Sequence, residues 1–178
     1  DRMGSVSASV VSHASCPVVV VREDNHVTDS TKYGPVVVGV DGSEVSQKAT
    51  AYAFREAQAR GAALIAVHTW MDMQVQASLA GLSAAQSEWA DIEKEQSELL
   101  TENLKEPREE YPEVEVKKLI TRDRPVSALT EAAEGAQLLV VGSHGRGGFK
   151  GMLLGSTSRA LLQSAPCPMM VVRPDEES

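Results

Sequence analysis

Cysteine is scarce in this chain: its 178 residues include two, Cys16 and Cys167. Two thiols so far apart make neither a disulfide framework nor a metal-ligand set. Each precedes a proline and an apolar run, which reads as a free thiol buried at a strand start. No apolar run approaches the about 20 residues needed to cross a bilayer, and no signal-peptide pattern stands out. A membrane is therefore not an expected partner. Positive charge is in the minority, with 17 Lys and Arg against 25 Asp and Glu and a net charge of −8. That balance argues against nucleic acid as a partner. Acid itself is missing from one long stretch. From Gly135 to Pro174 there is no Asp or Glu, while Arg146, Lys150, Arg159 and Arg173 make the stretch +4 and leave the remainder at −12. An acid-free island in an acidic chain suggests an anion site.

What is present begins with a repeat. Met3-Gly4-Ser5-Val6-Ser7 matches Leu154-Gly155-Ser156-Thr157-Ser158, and Ala14-Ser15-Cys16-Pro17 matches Ala165-Pro166-Cys167-Pro168. Val20-Val21-Arg22 matches Val171-Val172-Arg173, so the separation stays at 151 without a gap. Residues 1–22 are thus expected to be the last helix and strand of a preceding repeat domain, and the parent molecule a tandem of two. The polar stretch 23–34 reads as a linker. A complete domain is expected over 35–174, with 175–178 as a tail.

Within that domain, Val36 to Val40 is an apolar, β-branched run ending in Asp41-Gly42-Ser43 and reads as a buried first strand. Ser43 or Glu44 opens a helix to about Arg60, with Ala49, Ala53 and Ala57 on one face and Gly61 as its stop. Leu64 to Thr69 is the second strand. Met71 to Gly81 is irregular, and Ser83 caps a long polar helix to about Glu106, broken at Pro107. Val114, Val116 and Leu119 fall in a third strand. Pro125 opens a helix to Glu134, which Gly135 ends. Leu138 to Val141 is the fourth strand, Ser156 starts the last helix, and Met169 to Val172 is the fifth strand. Alternating strands and helices imply an α/β domain, a five-stranded parallel sheet with helices on both faces. In the order 3-2-1-4-5, the strand ending at Asp41 lies beside the one ending at Gly142, at the switch point where open α/β sheets bind ligands.

Between the fourth strand and the last helix runs Gly142-Ser143-His144-Gly145-Arg146-Gly147-Gly148-Phe149-Lys150-Gly151-Met152-Leu153-Leu154-Gly155-Ser156. Glycines let the backbone approach an anion. The helix start aims free N–H groups and partial positive charge at it. With the spacing Gly-x2-Gly-x9-Gly-Ser, the chain resembles the universal stress protein family, ATP-binding type, from Pro35 to Pro174. It meets that family's phosphate-loop signature without a gap or substitution. The resemblance implies a Rossmann-like nucleotide-binding fold that takes ATP, with Mg²⁺ on the phosphates, in a cytoplasmic stress-response protein. The family includes tandem members, which suits the repeat.

Gly142, Gly145, Gly155 and Ser156 are expected to wrap phosphate through backbone N–H groups and a hydroxyl, with Ser143, Gly147 and Gly148 in the same loop and Thr157 as a second hydroxyl. Arg146 and Lys150 either pair with the outer phosphates or belong to a solvated loop. Asp41 would be repelled by phosphate. The resemblance gives it ribose hydroxyls, and a helix N-cap is the other reading. Gly39 and Val40 line the same strand end. By resemblance the backbone at Thr69 meets the adenine edge, and Asp72 reaches ribose or base. His68 reads as a packed histidine. His144 is placed to touch a phosphate, but it has no visible partner that would make it a base. Trp70 and Trp89 read as packing residues, and the Glu-rich helix as a solvated face.

Three functions fit. The first is a nucleotide-dependent regulator or sensor with slow or no hydrolysis, because the loop lacks the Gly-Lys-Ser/Thr ending of fast ATPases. The second is an enzyme cleaving a phosphoanhydride or transferring an adenylyl group. The third is an assembly module, with Met169 to Val172 at a sheet edge pairing in a homodimer or with the missing first repeat domain. Its repeat copy, Val18 to Arg22, is expected to pair antiparallel with it.

Overall fold

The computed structural model describes residues 4–23, 25, 32–70, 86–145 and 154–175. The elements in chain order are α1 (Ser5–His13), β1 (Val18–Val20), β2 (Val36–Gly39), α2 (Glu44–Arg60), β3 (Leu64–Thr69), α3 (Gln86–Glu110), β4 (Val116–Thr121), α4 (Pro125–Ala133), β5 (Leu138–Gly142), α5 (Ser156–Ser164) and β6 (Met169–Val172). One sheet takes the strands in the order β1-β6-β5-β2-β3-β4. It has six strands, not the five expected, and is mixed rather than wholly parallel. β2 to β6 pair in parallel, and β1 adds to β6 antiparallel. The sixth strand arises because β6 would otherwise leave a row of unpaired backbone groups on its outer side.

Side chains alternate across the strands, so each strand feeds two cores. Val36 and Val38 pack with Ala49, Ala53 and Phe54 of α2 and Leu100 and Leu104 of α3. Val37, between them, packs on the other side with Leu129 of α4, Leu161 of α5 and Val11 of α1. Each large side chain so buried contributes about 1.5–3 kcal/mol relative to exposure. Double coverage explains why β2 and β5 are continuous apolar runs. The boundaries of α2 follow local chemistry: Ser43 caps its start by accepting from the Ser46 N–H, and Gly61 ends it at φ 62.

The expected break at Pro107 does not occur, and α3 continues to Glu110. Proline removes one N–H but keeps its carbonyl, which accepts from the Tyr111 N–H at 2.8 Å. The stacking of Tyr111 on Phe54, with ring centroids 6.2 Å apart, pins this end of the helix to the core. The start proposed at Ser83 lies outside the described residues. β4 begins at Val116, not at Val114, whose N–H closes a turn onto Tyr111. The linker reading 23–34 also falls largely outside the described residues, although Gly34 at its end is buried.

The pairing of β1 with β6 has internal symmetry. Val19 lies opposite Met170, its own repeat copy, and Val18 and Val20 lie opposite Val171 and Met169. A local two-fold axis therefore runs through the Val19–Met170 pair. The two copies differ in surroundings. Val10, Val19 and Val21 are 49%, 46% and 65% exposed, whereas their counterparts Leu161, Met170 and Val172 are 0%, 6% and 0%. Arg22 reaches across the axis to donate to the Gln163 carbonyl near the end of α5. The cysteines differ as well: Cys167 is buried, but Cys16 is exposed, contrary to the sequence reading. Cys16 precedes β1, the outermost strand among the described residues, whereas Cys167 packs in the core with Val11 and Leu161.

Two outcomes are expected. A methyl group at Gly34 would fall on the Gly135 carbonyl oxygen, in a rigid turn where Gly135 holds φ 78. Gly34→Ala should lower unfolding stability by about 1–3 kcal/mol, while Gly4→Ala, with open space around it, leaves the urea midpoint unchanged. Burial pushes the Cys167 thiol up to about 11 from 9.0. The folded state thus holds that proton more tightly than the unfolded chain, and stability declines as pH rises from 9.0 through about 11. At pH near 8, iodoacetamide should modify Cys16 in the native protein and Cys167 only on denaturation, as peptide mass spectrometry would report.

Candidate functional site

β2 and β5 are neighbours, and past their carboxyl ends the chain departs in different directions. A cavity of about 360 Å³ opens there, within the range of small-ligand sites. Gly39, Val40 and Asp41 enter it from the end of β2, and Val67, His68, Thr69 and Trp70 from the end of β3. Val141, Gly142, His144 and Gly145 come from β5 and its loop, and Gly155, Ser156, Thr157 and Ser158 from the start of α5. Pro125 and Leu129 of α4, Ser46 of α2 and Gln96 of α3 complete the wall. Most residues singled out from the sequence thus meet in one crevice. Ser143 is fully buried and does not line it. Arg146, Gly147, Gly148, Lys150 and Asp72 lie outside the described residues.

The ends of the loop are held by two backbone bonds and one small side chain. The Ser143 N–H donates to the Val172 carbonyl at 2.8 Å, and the Gly155 N–H to the Ser143 carbonyl at 2.6 Å. The Ser158 hydroxyl donates to the Gly142 carbonyl at 2.6 Å. These bonds tie the two ends of the loop together. Glycine is needed because the approach is close: a Cβ on Gly155 would lie 3.0 Å from the His144 Cα, and one on Gly145 would lie 2.7 Å from Asp41 Oδ2. Gly155 is the N-cap of α5 and supplies no side-chain bond to the helix start. Its first N–H groups therefore lie at the cavity without a cap, with the partial positive charge of a helix end.

Asp41 is fixed on one side and open on the other. Its Oδ1 accepts from the Ser43 N–H at 2.9 Å and the Ser43 hydroxyl at 2.6 Å. Ser43 in turn caps α2, so Asp41 is not the cap that the sequence allowed. Oδ2 is the oxygen beside Gly145, across the crevice. The Asp41 N–H donates to the Ser46 hydroxyl at 3.0 Å.

The histidines have different settings. His68 is buried, with Nδ1 donating to the Val40 carbonyl at 2.7 Å and Gln96 Oε1 2.7 Å from Nε2. It is packed, as expected, yet its ring faces the site. His144 Nδ1 lies 3.0 Å from the Ser143 hydroxyl. Trp70 and Trp89 pair at 5.6 Å, and the Arg122 guanidinium lies 5.0 Å from the Trp70 ring centre. Among the described residues no group of three or more His, Cys, Asp or Glu side chains gathers to hold a metal ion. No described helix is long and apolar enough to cross a membrane.

Sequence reasoning missed Ser46, Gln96, Pro125, Leu129 and Ser158. Gln96 had a legible signal: it falls in the stripe with Leu100 and Leu104, four residues apart, which is the buried face of α3. Ser46 and Ser158 carried none, because a serine in the first turn of a helix usually serves its own backbone.

An open α/β sheet with a glycine-lined crevice at its switch point is the ligand-binding architecture of doubly wound folds. The chain belongs to the universal stress protein family, whose model matches residues 32–173. It is 47% identical over 171 residues to universal stress protein Rv2005c of Mycobacterium tuberculosis, covering 96% of this chain and 56% of that protein. It thus spans a little over half the length of this curated relative. Among solved structures, a universal stress protein from Archaeoglobus fulgidus superimposes with TM-score 0.62 at 24% identity, over 99% of this chain and 56% of that one. A universal stress protein in complex with cAMP superimposes with TM-score 0.54 at 25% identity, over 79% of this chain and 97% of that one.

The tight seat of Gly155 gives a direct check. Gly155→Ala forces the His144 turn outward and should lower stability by about 1–3 kcal/mol in urea unfolding. A midpoint equal to the parent's would mean the loop ends are not packed together in solution.

Proposed function

We propose that this domain binds an adenine nucleotide, ATP in the first instance, and acts as a nucleotide-dependent regulator or sensor with slow or no hydrolysis. The observation that carries this reading is the crevice at the switch point, where glycine backbone and the uncapped start of α5 face Asp41 Oδ2. In this reading Gly142, His144, Gly145, Gly155, Ser156 and Thr157 take the phosphates, Ser143 supports the turn from beneath, and Arg146, Gly147 and Gly148 are proposed to join them. Asp41 accepts from the ribose hydroxyls through the oxygen that Ser43 leaves free. Gly39, Val40 and Thr69 border the base. The cavity's size suits a nucleotide, and its rim at Gly145 and Gly155 is too close to Asp41 and His144 to admit a larger side chain. Mg²⁺ would ride on the phosphates with its waters, as it commonly does. The related protein solved with cAMP supports an adenine ligand.

The polar groups at the crevice also bear on rate. His144 faces a serine hydroxyl, and Asp41 is engaged by Ser43. Neither is set up as a base against water. We take the domain to work by occupancy, cytoplasmic in setting, and not by turnover. Its organisation is read as the second unit of a tandem: 1–22 the end of a preceding repeat, 23–34 a linker, 35–174 the complete domain and 175–178 a tail. The two-fold pairing of Val19 with Met170 and the greater length of the relatives favour this arrangement over a homodimer formed through Met169–Val172.

The test begins with purified protein, denatured and analysed for released nucleotide by chromatography and mass spectrometry, followed by titration of the emptied protein with ATP and Mg²⁺. One equivalent of ATP per chain is expected, with affinity falling about tenfold or more in Asp41→Ala. A site that stays empty after soaking overturns the proposal. So does hydrolysis at rates of about 1–100 per second, typical of kinases.

A further inference from the structure

The peptide group joining Val40 to Asp41 is gripped from both ends. Its carbonyl accepts from His68 Nδ1 at 2.7 Å, and its N–H donates to the Ser46 hydroxyl at 3.0 Å. A peptide unit at a strand end normally turns freely with the loop that follows. Here it cannot rotate without breaking both bonds, and the Asp41 carboxylate hangs from it. The grip extends outward. His68 Nε2 meets the side-chain amide of Gln96 at 2.7 Å, and Gln96 is buried in the stripe by which α3 packs on the domain. A continuous polar path thus runs from α3 through Gln96 and His68 to the backbone of Asp41. Ser46 anchors the other side from α2, where Thr50 donates back to the Ser46 carbonyl at 2.8 Å.

We propose that His68 is a positioning residue for the nucleotide site and that Gln96 holds its ring against the Val40 carbonyl, so that the seat of α3 controls the aim of Asp41. The proposal rests on the nucleotide reading above and adds a regulatory route to it. The chemistry is constrained. The Val40 carbonyl only accepts, so His68 must carry a proton on Nδ1. A neutral ring then needs a donor at Nε2, and the Gln96 amide, whose Oε1 stands 2.7 Å away, supplies one when its two ends are exchanged. The two ends of an amide have the same shape, and the network decides between them. If Gln96 leaves, the Val40 carbonyl still selects the Nδ1 proton, but nothing holds the far end of the ring. The ring is then free to tilt, which weakens its bond to the Val40 carbonyl. A shift of α3 would do the same without any mutation. Binding at Asp41, in turn, stabilises the seated position of α3, because coupling is reciprocal.

The test uses the full chain with nitrogen-labelled histidine, His68 being assigned by the signal lost in His68→Gln. Imidazole nitrogen shifts of the native protein should show Nδ1 protonated. Gln96→Leu keeps the apolar stripe and should weaken ATP about tenfold while moving the His68 Nδ1 signal as its bond to the Val40 carbonyl loosens. Gln96→Glu, which keeps a polar partner at Nε2, should restore affinity to within about threefold. Native His68 with Nδ1 unprotonated overturns the proposal. So does a folded Gln96→Leu that binds ATP like the parent, or a Gln96→Glu no better than Gln96→Leu. If the parent chain binds no ATP, the nucleotide reading falls by itself, and the Nδ1 proton alone decides whether the clamp exists.

Discussion

The pairing of β2 with β5 is the contact on which the rest of the structure depends. Val36, Val37 and Val38 lie opposite Leu138, Leu139 and Val140, in parallel and covered on both faces. Parallel neighbours cannot be joined by a tight turn, so nearly the whole domain is threaded between them. Helices fill the two faces, and the chain leaves the two carboxyl ends toward opposite sides. A crevice follows from that divergence without further design. It also explains how Asp41 and Gly145, distant in sequence, come close enough that a single methyl group would not fit between them.

Polar groups at this crevice are satisfied by short side chains acting in series. Ser43 holds Asp41 and caps α2, Ser46 holds the Asp41 N–H, and Ser158 holds the Gly142 carbonyl. A buried backbone group without a partner costs about 1–3 kcal/mol, so these hydroxyls help to hold the strand ends in place. The arrangement leaves few groups uncommitted. Asp41 Oδ2 and the first N–H groups of α5 are among them, which is why the chemistry of a ligand can be reasoned from so small a set.

The fold was legible where one physical signal dominated. β2 and β5 were visible as apolar β-branched runs, α2 through its serine cap and Gly61, and α4 through Pro125 and the Gly135 turn. Their relative order followed from alternation of strand and helix. Reading failed where a second force overrode the first. Pro107 signals a break, but the packing of Tyr111 on Phe54 carries the helix past it. Cys16 resembles Cys167 in its neighbours, yet burial depends on surrounding elements, and those that enclose Cys167 do not reach Cys16. The sheet was read with one strand too few because the five strands were counted from 35–174 alone. The antiparallel pairing of the repeat copy was foreseen but not added to the sheet. In the site, the glycines announced themselves by spacing and Asp41 by its place at the end of an apolar run, whereas Gln96 hid within a helix rich in Glu and Lys. Only its place in the stripe with Leu100 and Leu104 separates it from its solvated neighbours.

The sheet's two margins carry one last consequence. On one side the outermost strand is β4, where Lys117 and Lys118 are exposed. On the other it is β1, three residues long and laid across β6. A long, flat, apolar margin invites other chains to add strands and grow into fibres, and charge or brevity discourages this. β6, made entirely of buried apolar residues, would be such a margin if left bare. The valine segment lying against it closes that row of backbone groups, as a seam closes the raw edge of cloth.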